Sequence, residues 1–158
     1  MRRRQQVGMP YVEKLMKRAK ISVGDLFAVP RSDGKFVLGQ IVDEWMQGVV
    51  CIALFDVVLD SLEVDSTALA RPEPFVLLSV ASAELTKGYW KVVGHSRLMV
   101  DASLGPHQQF SSSNYIGASW HSGGKVEDLV NAFYGLATWE PYPGRPGHLR
   151  SLLLRQLQ

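Results

Sequence analysis

Four histidines, one cysteine and a serine-rich stretch are the groups in this 158-residue chain whose types could carry out chemistry. No two of His95, His107, His121 and His148 have the i, i+4 helical spacing of a zinc peptidase. A single cysteine offers no thiolate pair, so no resident metal is expected. Gly117-Ala118-Ser119-Trp120-His121 imitates a nucleophile elbow, yet His121 stands where the tight strand-to-helix turn needs a second glycine. Gly94-His95-Ser96 fails in the same way, with Leu98 in the glycine's place. Ser122-Gly123-Gly124-Lys125 could aim backbone N–H groups at an anion. It lacks the earlier glycine and the hydroxyl after lysine of a phosphate-binding loop, and the plainer reading is Ser122 as a helix cap. Cys51 lies inside Val49-Val50-Cys51-Ile52-Ala53-Leu54-Phe55, where apolar neighbours and nearby acids oppose a thiolate. It reads as a core residue. No catalytic residue and no cofactor is expected, and the chain is read as a binding protein.

A binder works through surface and charge, and here the charge is segregated. The formal net charge is only +2, but residues 1–20 carry Arg2, Arg3, Arg4, Lys14, Lys17, Arg18 and Lys20 against Glu13 alone. Residues 41–70 carry Asp43, Glu44, Asp56, Asp60, Glu63 and Asp65 and no base. A patch of one sign steers an oppositely charged partner, so these six acids are the candidate partner-binding residues. The basic amino-terminal arm supports a different class, a small nucleic-acid-binding β module. Against it, the sequence lacks the aromatic-basic interleaving of an RNA-binding sheet. Trp45, Trp90, Trp120 and Trp139, with Tyr89, fill a core or form a recognition face.

The elements that must position these residues follow from periodicity. Residues 1–9 read as a basic arm and 10–158 as one mostly-β domain. Tyr11, Val12, Leu15, Met16 and Ala19 have helical spacing, which predicts a short amphipathic helix at Tyr11–Ala19. Strands are expected at Asp25–Val29, Lys35–Asp43, Val49–Val58, Phe75–Ala81, Tyr89–Val93 and Arg97–Val100. Turns are expected at Asp33-Gly34, Gln47-Gly48, Lys87-Gly88 and Gly94-His95. Asp101 to Gly124 reads as a polar loop with at most one short strand near Tyr115–Trp120. Val126–Leu136 is the clearest helix, and one more helical turn or two is expected within His148–Leu157. The fold class is mainly β (α+β): a twisted antiparallel sheet or partly open barrel, with an amino-terminal helix and one or two carboxy-terminal helices. No apolar stretch reaches the ~20 residues of a membrane span. Met1-Arg2-Arg3-Arg4 is followed by no apolar signal segment. A soluble, cytoplasmic protein is expected.

Three stretches carry a family resemblance: Val23-Gly24-Asp25-Leu26-Phe27-Ala28-Val29-Pro30, Asp33-Gly34-Lys35-Phe36-Val37-Leu38-Gly39-Gln40-Ile41-Val42 and Gly88-Tyr89-Trp90-Lys91-Val92-Val93-Gly94. In order and spacing they resemble the immunity protein 26 family of bacterial polymorphic toxin systems, over about residues 23–120. The resemblance implies a small, largely β protein that neutralises a cognate secreted toxin by stoichiometric binding, with nucleases frequent among such toxins. It implies no enzymatic activity and brings no catalytic residue.

Overall fold

In the computed structural model, which describes residues 19–70 and 72–158, the apolar runs on either side of Asp33-Gly34 form an antiparallel hairpin. β1 (Asp25–Pro30) pairs with β2 (Phe36–Met46), Leu26 facing Gln40 and Pro30 facing Phe36. The turn needs a positive φ, which Gly34 supplies at +85°. Asp33 closes it by accepting the Lys35 N–H at 3.2 Å and gripping Arg31, whose guanidinium holds the Asp33 carboxyl below its usual range. A second glycine turn at Gln47-Gly48 leads into β3 (Val49–Leu59), and β4 (Pro74–Ala81) lies along its far side. After a short helix α1 (Ala83–Thr86), β5 (Lys91–His95) returns to the free side of β1.

The strand order is β4-β3-β2-β1-β5 with every neighbour antiparallel, so the fold is an open, mainly β sheet. It does not close into a barrel, because β4 and β5 are its two edges. The basic arm expected at 1–9 and the helix expected at Tyr11–Ala19 fall outside the described residues, except for Ala19. The Ala19 N–H donates to the Thr86 carbonyl at 2.9 Å.

Both faces of the sheet are covered, which explains why β1 to β4 read as nearly continuous apolar runs. Phe27, Val29, Ile52, Leu54 and Val80 share one core with α2 (Gly123–Phe133) and α3 (His148–Ser151) through Leu129, Val130 and Leu149. Leu26, Ala28, Leu38, Cys51, Ala53 and Phe55 point the other way, beneath the 60–70 loop and the segment after β5. Helix α2 begins three residues before the expected start, because Gly123 and Gly124 are already helical. Ser122 caps it, its hydroxyl accepting the Lys125 N–H at 3.2 Å.

Three expectations are corrected. Arg97–Val100 is not a strand. Buried Gln40 reaches from β2 to satisfy that segment's backbone, its amide nitrogen donating to the Ser96 and Arg97 carbonyls and its oxygen accepting the Met99 N–H at 2.9 Å. A side chain thus replaces the ladder that a strand would use. β5 starts at Lys91 rather than Tyr89, since the Trp90 N–H turns back to the Glu84 carbonyl at 2.9 Å. Gly94 and His95 are therefore paired strand residues, facing Leu26 and Asp25, and not a turn. The loop after Asp101 contains two 3-10 segments, Ala102–Leu104 and Pro106–Ser113. No strand forms over Tyr115–Trp120, in keeping with a loop holding at most one, and the pairing nearest to it is a single bridge between His121 and Val80.

Candidate functional site

The six acids separate along the length of β3. From Cys51, which faces Asp43, to Asp60 the chain runs extended for roughly 30 Å at ~3.3 Å per residue. Asp43 and Glu44 therefore stand at the Gly48 end, and Asp56, Asp60, Glu63 and Asp65 at the other. Two of the six are engaged internally. Asp43 meets Nε2 of the fully buried His107 at 2.7 Å. Asp56 accepts the Tyr134 hydroxyl at 2.7 Å, and burial with this bond pushes the Tyr134 phenol well above its usual range. Arg31 lies over the same ring, 4.6 Å from its centre.

Asp60, Glu63 and Asp65 are brought together. They line a recess of about 260 Å³ between the end of β3 and the loop that follows, and all three are exposed. Lys35 approaches Asp60 at 3.5 Å, but both ends are so exposed that such a pair contributes ~1 kcal/mol at most. Asp65 also caps the Ala68 N–H at 3.0 Å, which holds the loop in shape. These three carboxylates form the candidate docking patch.

The groups that could do chemistry are dispersed. His95 bonds Asp25 at 3.0 Å beside β1, His107 is buried under the opposite face, and His121 lies on the β4 edge. No contact joins these three. His121 and His148 are neighbours, their ring centres 6.2 Å apart, and Lys125 Nζ lies 2.9 Å from His148 Nε2. Burial first, and then the Lys125 charge, lowers both histidines. Ser119 is exposed in a loop, two residues before the His121 bridge and outside the turn into α2. Cys51 is buried, and desolvation followed by the Asp43 charge pushes its thiol up to about 12. Among the described residues no group of three or more His, Cys, Asp or Glu side chains could hold a metal ion. No helix among them is long and apolar enough to cross a membrane.

The sequence blocks that carried the resemblance meet in space. Phe27 of the first stacks on Trp90 of the last, ring centres 5.7 Å apart and planes within 4°. Gly39 of the middle block leaves room for that stack: a Cβ there would lie 2.5 Å from Phe27 Cζ. Trp90 also donates to Glu127 on α2 at 3.1 Å, tying the sheet to the helix. A family model described as immunity protein 26 matches residues 22–115, more than half of the chain. The chain belongs to the immunity protein 26 family. Immunity is the role this membership supports, and a toxin is the partner class it implies. The match spans all five strands, whereas α2 and α3 of this immunity protein 26 chain lie beyond it. No curated protein and no solved structure matches the chain.

Of the tryptophans, Trp90 is core, while Trp120 is about half exposed and Trp45 and Trp139 are half-buried. The internal partners of the acids, His107 and Tyr134, escaped the sequence reading. Each lies more than sixty residues from the carboxylate it binds, and no local pattern marks such a pair.

Proposed function

We propose that this immunity protein neutralises one cognate secreted toxin in the cytoplasm by stoichiometric binding, transforming no substrate itself. In this reading Asp60, Glu63 and Asp65 dock against a basic cleft of the toxin, as a nuclease would present. Glu44, Asp43 and Asp56 contribute to the field rather than to contacts. The observation that carries the docking face is the recess where three outward carboxylates converge, with the exposed Lys35 beside Asp60. The sheet supports the mode of action. With a core on both faces it presents a preformed surface, so little ordering entropy is lost on association.

The test uses the purified chain and an inactivated domain of the toxin encoded beside it. A 1:1 complex should form, and the Asp60→Lys/Glu63→Lys pair should slow association about tenfold at low ionic strength. Unchanged on-rates would remove this patch as the docking face. Absence of any complex would remove the toxin-binding reading for that pair.

A further inference from the structure

The outer edge of β4 is only partly covered. At one end the Leu154 N–H donates to the Phe75 carbonyl at 3.0 Å. At the other, His121 exchanges bonds with Ser79 and Ala81, both at 3.0 Å. Alternate residues of a strand direct both backbone groups to one side, so Leu77 and Ser79 also face outward. Between the two clamps, the Leu77 carbonyl and the Ser79 N–H meet no partner from another element among the described residues. They face a groove of about 500 Å³, within the size range of ligand sites at ~300–1,000 Å³. Its walls are Leu77, Val100, Leu104, Leu152 and Leu154, and Leu104 is 68% exposed.

The charge of the groove has one sign. Arg155 lines it and no Asp or Glu does, while Lys125 and Arg145 add positive charge beside the neighbouring His121. A free carbonyl and a free N–H two residues apart fit a peptide backbone, which a lipid tail cannot satisfy. A second copy of this chain is a poor occupant. Its other open edge, β5, brings Lys91 and His95 toward a rim that is already basic.

We infer that this groove binds an extended, apolar segment of the toxin that carries a carboxylate, one residue of which pairs with β4 in the gap between the two clamps. The inference rests on the toxin-binding reading and names a second contact, separate from the acidic patch. An incoming residue donates its N–H to Leu77 and accepts from Ser79. Its neighbouring apolar side chain enters beside Leu104, and the carboxylate lies against Arg155.

The test uses the full chain with the inactivated toxin domain, comparing Leu104→Glu, Arg155→Glu and the Asp60→Lys/Glu63→Lys pair. Both groove positions are exposed, so circular dichroism and thermal melting should match those of the parent chain. Each groove variant is expected to weaken the complex at least tenfold. In residue-resolved hydrogen exchange the Ser79 amide should slow on complex formation. A complex of parental affinity in both groove variants, or a Ser79 amide that exchanges as in the free chain, would overturn the inference while leaving the toxin-binding reading intact. A self-association of this chain broken by Leu104→Glu, with toxin affinity unchanged, would also overturn it. Failure to form any complex would remove both readings.

Discussion

A Cβ at position 39 would press into a ring that already stacks on Trp90, and neither aromatic has room to retreat. Phe27 and Trp90 are both fully buried. Gly39→Ala is therefore expected to destabilise the chain by about 1–3 kcal/mol, the usual cost of overpacking a core. Urea unfolding would show it as a lower midpoint with an unchanged slope. Cys51 sets a pH dependence. Its thiol is raised in the folded chain from 9.0 to about 12, so between these values the unfolded state has lost a proton that the native state keeps. Stability from this group is complete below pH 9 and is lost as pH rises toward 12, by up to ~1.4 kcal/mol per unit. Cys51→Ala should flatten the alkaline limb of a stability–pH curve. An unaltered limb would show that other groups dominate it.

The hairpins could be read directly from sequence because a turn announces itself locally. Asp33-Gly34 and Gln47-Gly48 stand between apolar runs, and both glycines take the positive φ that the turns require. Ser122 and helix α2 were legible for the same kind of reason. The segment after β5 was not. Its apolar residues suit a strand, but its backbone is taken up by the Gln40 amide, whose own surroundings are set by register with β1 and β3. Gln40→Leu leaves the Met99 N–H and two carbonyls without their partner. A loss of about 1–3 kcal/mol is expected. Faster amide exchange should appear at Met99 before it appears in β2. Exchange that rises uniformly across the sheet would show that Gln40 supports the whole sheet rather than this segment.

The two proposed contacts have opposite electrostatic character, one acidic beyond β3 and one basic along the β4 edge. A net charge of +2 conceals this polarity. A toxin engaging both must present a basic surface and an acidic extended segment in a fixed relative orientation, which is a stricter demand than either patch makes alone. Association with the parental chain should accordingly slow as salt is added, the long-range attraction being screened over ~10 Å at 0.1 M. The Asp60→Lys/Glu63→Lys pair should lose most of that salt dependence, while Leu104→Glu should keep it and dissociate faster. On-rates insensitive to salt in the parental chain would remove the steering role of the acids.

The strand runs of β1 to β4, the glycine turns at Gly34 and Gly48, the α2 helix with its serine cap, and the burial of Cys51 follow from the order of residues alone. Each depends on spacing, φ preference or the polarity of immediate neighbours. Which acids share a surface depended instead on the path of β3, whose extended length carries Asp43 away from Asp60. Which strand edge stayed open depended on where His121 and Leu153 happen to bridge β4. Those outcomes come from pairing between residues tens of positions apart, and a one-dimensional pattern holds no record of that pairing.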